Sequence, residues 1–277
     1  MLLSFADPDQ TKRLARQFPE FNWVVTAGGA EEPPNTLSPI EGTQAHLIEL
    51  GHKAMYVAVV GLYKDSQPSW RYQRVPLDAR FTDDVQIHEL FVAYQRQLQT
   101  LGLDGLGIKP VPHPSGRMFA GSDTCADCHT AAAEVYHNTP HSHALATLQN
   151  LNPPRCYDPE CISCHVTGWD PQKYFPYVSG YLSEQTTPEM INTGCEDCHG
   201  PAAEHVAAEN GEIDVDDAGL ERLRAELHME LADNEGNKGD QIFGNVVQKC
   251  MQCHDLDNSP DFDFQEYWPT VKHEGVD

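Results

Sequence analysis

Four short stretches decide how this chain is read: Cys125-Ala126-Asp127-Cys128-His129, Cys161-Ile162-Ser163-Cys164-His165, Cys195-Glu196-Asp197-Cys198-His199 and Cys250-Met251-Gln252-Cys253-His254. Each is C-x-x-C-H, the attachment signature of a c-type haem. Two thiols one helical turn apart can form thioethers to the two vinyl groups of one porphyrin. The histidine after them then lies under the iron as its proximal ligand. A lone C-x-x-C is also compatible with a zinc knuckle, a redox dithiol or half of a disulfide framework. Zinc would draw its cysteines from two such pairs and has no need of a histidine directly after every second cysteine. All four pairs carry that histidine. The expected cofactor is therefore haem c, four per chain and covalently attached, with His129, His165, His199 and His254 as proximal ligands.

Working outward from the motifs, none of the nine cysteines precedes Cys125 in this chain of 277 residues. Two parts are expected: an α/β segment over 1–108 and a tetrahaem domain over 109–277. The fold class is α+β, a small α/β segment followed by a mainly helical, irregular domain built around packed haems. Lys and Arg number 18 against 42 Asp and Glu, a formal charge of −24. Such a surface repels nucleic acid and anionic membrane and favours redox partners with basic docking patches. No stretch approaches the apolar length needed to cross a bilayer. The first seven residues, MLLSFAD, lack a basic n-region and do not read as a signal peptide. Haem c is attached outside the cytoplasm, so an export signal is expected to be missing from this sequence, and the expected location is periplasmic or extracellular.

In the first part, residues 8–18 read as a short amphipathic helix. Residues 22–27 form a buried-strand candidate ending in Gly28-Gly29, and a proline-rich loop covers 31–39. Strand-like runs come next at 45–50, 55–63 and 70–76, the last two separated by turn residues 64–68, and a helix is expected from about 83 to 101. The run from Val24 to Leu101, with Gly42-Thr43, Gly51-His52-Lys53, Tyr56-Val57-Ala58-Val59-Val60 and Val75-Pro76-Leu77-Asp78, resembles the last portion of a secreted calcineurin-like metallophosphoesterase domain of the nucleotidase type. That family binds two metals through D-x-H, G-D-x-x-D, G-N-H-[DE] and G-H-x-H motifs. The first three are absent, and Ala27-Gly28-Gly29-Ala30 stands where G-H-x-H is expected, so the resemblance implies a remnant without phosphoesterase activity.

A linker rich in Gly and Pro spans 102–121, with the boundary expected near Lys109. Beyond it, helices are expected over 130–138, from Pro140 to about 148, over 202–210 and over 214–232. From residue 121 onward there are about 39 residues per haem, too few to wall off each porphyrin. The haems are therefore expected to pack closely. The aromatic run Trp169, Tyr174, Phe175, Tyr177 and Tyr181 is expected to cover porphyrin edges. Of the fourteen histidines, ten are not proximal. His141 and His205 lie on short helices at offsets that can reach a neighbouring iron and are the first distal candidates, followed by His143 and then His137 and His113. His113 sits between two prolines, either as a loop residue or as a rigidly presented ligand. His228 and His273 are further possible ligands that read more readily as solvated, and His46, His52 and His88 read as strand-edge or surface residues. Cys156, the ninth cysteine, reads as a spare thiol whose neighbours Asp158 and Glu160 raise its pKa.

The stretch from Gly121 to His254 resembles the cytochrome c-554 type of tetrahaem cytochrome and the wider multihaem group that shares its haem arrangement. The resemblance rests on Gly121-Ser122, on Thr139-Pro140-His141, and on Cys195 to Pro201 (CEDCHGP) with His205. It implies transfer of electrons away from hydroxylamine oxidation, and it makes His141 and His205 distal ligands. Family members can take a further distal histidine from between the second and third motifs; this chain has none between His165 and His199. Three functions compete: an electron carrier with His/His irons, a redox enzyme in which one five-coordinate haem meets a small nitrogen or sulfur compound, and a homo-oligomer or conductive filament in which His113 or His273 ligates a neighbour's haem.

Overall fold

The computed structural model describes residues 1–65, 67–229 and 244–273. It contains helices and strands in an α+β arrangement and divides into two compact units, Met1–Asp84 and Val85–Asp277.

In the first unit, β1 (Leu2–Ser4), α1 (Pro8–Gln17), β2 (Trp23–Thr26), β3 (Ser38–Pro39) and β4 (His46–Glu49) build a four-stranded sheet in the order β1-β2-β4-β3. β1, β2 and β4 run parallel, Leu2 opposite Val24 and Val24 opposite Leu47, and β3 is antiparallel to β4. Asp7 starts α1 by accepting the Gln10 N–H at 2.8 Å, and Pro8 occupies the first turn, where its missing N–H costs nothing. Alternation along β2 buries Val24 and Thr26; Val24, Ala15, Ile40, Ala45 and Leu47 form the core. β5 (Tyr56–Leu62) and β6 (Trp70–Pro76) pair antiparallel over their full length. His46 packs edge-on against Trp70 at 4.8 Å, within an aromatic cluster that includes Trp23.

The second unit begins with α2 (Val85–Gly105), interrupted at Gly102, whose φ of 59° departs from the helix. The sequence places the boundary near Lys109, whereas α2 lies with the second unit. Its buried Gln95 donates to Asp158 Oδ2 at 3.0 Å, and Leu98 is buried beside it. Next are α3 (Ser122–Ala126), α4 (Thr130–His137), a 3₁₀ turn at Pro140–His143, α5 (Ala144–Gln149), α6 (Pro159–Ile162), a two-residue pairing of β7 (Trp169–Asp170) with β8 (Phe175–Pro176), and a 3₁₀ turn at Pro188–Met190. Then come α7 (Cys195–His199), α8 (Ala203–Glu209), α9 (Asp217–Glu226), α10 (Gly244–Cys250) and α11 (Phe264–Val271). The expected helix over 214–232 is seen as α9; its positions beyond 229 lie outside the described residues. Phe119, Leu145, Leu148, Ile162, Val166, Trp169, Tyr181 and Met190 form the core. Two members of the aromatic run, Trp169 and Tyr181, belong to this core, and Trp169 donates its Nε1–H to the Tyr181 carbonyl at 2.7 Å.

Candidate haem-binding site

The four motifs sit on tight helical turns. The His129 N–H donates to the Cys125 carbonyl, and the His254 N–H to that of Cys250, each at 2.9 Å; α7 spans the third motif, and the His165 N–H donates to the Ile162 carbonyl at 2.9 Å. A turn of this kind brings residues three apart to the same side, so each motif presents its two thiols together.

Backbone and side-chain bonds lock the motifs to one another. Glu196, inside the third motif and 1% exposed, accepts from the Ala120, Gly121 and Ala202 N–H groups at 2.7–3.0 Å. Burial raises its carboxyl pKa, opposed by those three donors. The Cys195 N–H donates to Ser122 Oγ at 3.1 Å, joining the first motif to the third. Thr193 Oγ1 donates to the Cys164 carbonyl at 2.8 Å and the Gly168 N–H to Asp197 Oδ1 at 3.2 Å, joining the second to the third. Burial pushes the Asp197 carboxyl up to about 7. The thiols also meet. The neighbouring Cys125 and Cys195 thiols shift each other in opposite directions, Cys195 down to about 7 and Cys125 up, and Cys164 and Cys253 do the same, Cys164 down and Cys253 up. Among the described residues no three His, Cys, Asp or Glu side chains converge as a cage for an ion. The thiols are paired across motifs without the tetrahedral grouping that a structural zinc needs.

The proximal histidines test whether a haem iron fits. His165 Nδ1 bonds the Ala144 carbonyl, and His199 Nδ1 the Leu227 carbonyl, each at 2.7 Å. A carbonyl can only accept, so Nδ1 carries the proton and the lone pair is left on Nε2, the tautomer of a ligating imidazole whose orientation is set from behind. His254 Nδ1 lies 3.0 Å from Ser259 Oγ, and its ring stacks on Phe262 at 4.5 Å. Burial lowers the pKa of all three, favouring the neutral form that binds metal. These donors fit a haem iron held on one side by each imidazole.

The candidate distal residues are distributed unequally. His141 lies with its ring centre 6.0 Å from that of His254. Two metal–nitrogen bonds of about 2 Å plus two ring half-widths also sum to roughly 6 Å, so this spacing suits two imidazoles on opposite faces of one iron. Burial, then the nearby His254 and His165, lowers the His141 pKa. His205 on α8 has its pKa lowered by burial, with nearby His129 contributing, and its Nδ1 is buried without a hydrogen-bond partner. His143 is exposed at the start of α5, and His137 is exposed beside Tyr136. His113 is a loop residue packed against Tyr177 and Phe119; its Nδ1 accepts the Ser115 N–H at 3.2 Å, which leaves the proton on Nε2, the reverse of the ligating tautomer. Sequence reasoning ranks His273 low, and its ring lies 5.7 Å from that of His199. It missed the carbonyls of Ala144 and Leu227. Cys156 packs partly buried against the core, and burial, more than any acidic neighbour, raises its pKa, with Glu184 in place of the expected Asp158 and Glu160.

Thiol pairs on helical turns, each followed by an imidazole, support a multihaem c-type cytochrome. The comparisons agree with that class. Residues 124–200 match the family described as cytochrome c554 and c-prime. Cytochrome c-554 of Nitrosomonas europaea is 33% identical over 96 residues, 30% of this chain and 38% of that relative, so the match spans well under half of the relative's length. The solved structure of the reduced state of cytochrome c554 from the same organism is 23% identical, with a TM-score of 0.36, over 58% of this chain and 89% of that one. The family match and the sequence relative support a haem-binding c-type cytochrome.

Proposed function

We propose that this chain is an exported electron carrier holding four covalent haems, most of them ligated by two histidines. The observation that carries this reading is the pairing of imidazoles at 6.0 Å, His141 with His254, beside proximal rings fixed through Nδ1 to backbone carbonyls. Bound haem supplies a one-electron iron couple whose potential is set by its axial ligands and burial. The residues supply the rest: Cys125 and Cys128, Cys161 and Cys164, Cys195 and Cys198, and Cys250 and Cys253 anchor the groups; His129, His165, His199 and His254 would hold the irons; the Glu196 and Asp197 bonds keep neighbouring motifs in register. His205, beside His129, is the distal residue proposed for the first motif. The charge of −24 suits protein partners with basic patches. Among the described residues no helix is long and apolar enough to cross a membrane. Residues 1–108 are read as a phosphoesterase-like remnant without hydrolytic metals.

The test is a coulometric titration of the haem-loaded full chain, expected to take up four electrons without catalytic turnover of hydroxylamine, nitrite or nitric oxide. One observation favours a second reading at a single motif. His141 lies near both His254 and His165 and can be the sixth ligand of one iron only, so its pairing with His254 leaves the His165 iron without it. A five-coordinate iron there would bind cyanide rapidly in one haem equivalent, whereas a fully His/His protein would not.

A further inference from the structure

We propose that His273, after the last helix, is the sixth ligand of the haem attached at Cys195 and Cys198, opposite His199. This rests on the haem reading above and assigns to that site a residue from outside all four motifs. Three observations carry it. The two rings lie 5.7 Å apart, centre to centre, inclined by 53°, nearly the spacing and tilt of His141 and His254 at 6.0 Å and 56°. Both rings are set in the same tautomer: His199 Nδ1 bonds the Leu227 carbonyl at 2.7 Å and His273 Nδ1 the Val271 carbonyl at 3.0 Å. Each Nδ1 is therefore the donor, and each Nε2 keeps the lone pair that a metal needs.

The third observation is how α11 is held. Asp263 caps it by accepting the Gln265 and Glu266 N–H groups, and Tyr267 and Phe262 pack on the ring of His254. The helix is thus fixed at one end to the fourth motif and ends, through the Lys272 N–H donating to the Trp268 carbonyl at 2.9 Å, where His273 meets the third. An exposed histidine at a helix end has no packing reason to face a half-buried imidazole. A shared iron supplies one.

The experiment uses the full chain loaded with haem in a periplasmic expression host. Pyridine haemochrome analysis of the wild type tests the haem reading separately, since a count other than four sinks that reading whatever His273 does. In H273A we expect one haem equivalent to pass from low-spin to high-spin in low-temperature EPR, and added imidazole to restore it. In H273M we expect a thioether-to-iron charge-transfer band and one haem with a more positive midpoint potential. H88A, at an exposed position of α2, should change neither. If H273A keeps the wild-type spin count, or a haem-replete H273M shows neither band nor potential shift, the assignment is overturned. Should the variants load haem poorly, diethylpyrocarbonate labelling of the wild type decides. His273, exposed by geometry, should be protected while the exposed His88 and His137 react; labelling of His273 at their rate overturns the proposal.

Discussion

At the scale of single residues, the motifs are tied together by a carboxylate that is neither a thiol nor an imidazole. Glu196 gathers three backbone N–H donors with one carboxylate, at the point where the first motif, the third motif and the start of α8 meet. Glu196→Gln keeps one acceptor and turns an amide NH₂ toward donors. It should lower stability by about 2–4 kcal/mol, read as a fall in the urea midpoint of the haem-loaded protein. Tyr177 and Tyr181 lie beside the second motif, and burial pushes both phenols up to about 12. In the unfolded chain they ionise near pH 10, so between about pH 10 and 12 the folded state holds protons that the unfolded state has released. Their contribution is intact below about pH 10 and is lost as pH rises toward 12. Urea midpoints at about pH 9 and about pH 11 should diverge, and they should diverge less in the Tyr177→Phe, Tyr181→Phe double variant; an equal divergence in the variant contradicts this cause.

At the scale of elements, the loop between the second and third motifs folds back on itself through two glycines. Gly168 has φ +83°, and a Cβ there would lie 2.6 Å from the Gly180 Cα. Backbone cannot retreat as a flexible side chain can. Gly168→Ala should cost about 2–4 kcal/mol and reduce haem loading at the second motif, checked by denaturation and haem count. Periodicity and turn residues made most elements legible in the sequence: β5, β6, α1 and α4 fall within a residue or so of expectation. β1 was not legible, because three residues, Leu2–Ser4, become a strand only through a parallel partner twenty-two positions on. Gly and Pro density, which marks chain flexibility, points to a boundary near Lys109, whereas the buried bond from Gln95 to Asp158 joins α2 to the haem-motif region. Within the site, the C-x-x-C-H motifs are legible because they are local in sequence. The Ala144 and Leu227 carbonyls are not, since backbone acceptors from distant residues leave no mark on composition. His273 read as solvated because only the placement of α11 brings it to His199.

At the scale of the molecule, the two units differ in what could stabilise them. The first has a small apolar core around Val24 and Leu47 and carries none of the cysteines. An assay of the purified protein with an aryl phosphate and manganese should give no hydrolysis above blank, and turnover would contradict its reading as a remnant. In the second unit the attachment points crowd together: Cys125 against Cys195, Cys164 against Cys253, and Cys198 near Cys250. On the proposed four-haem reading, with about 39 residues per haem, porphyrins would supply apolar mass beside these attachment points. The central claim is that all four C-x-x-C-H motifs carry haem by thioether bonds, and intact mass spectrometry of the denatured, exported protein tests it most directly. The account predicts the mass of the chain plus four haems, surviving denaturation and reductant; a bare chain, a chain two hydrogens lighter per disulfide, or any other haem number would contradict it.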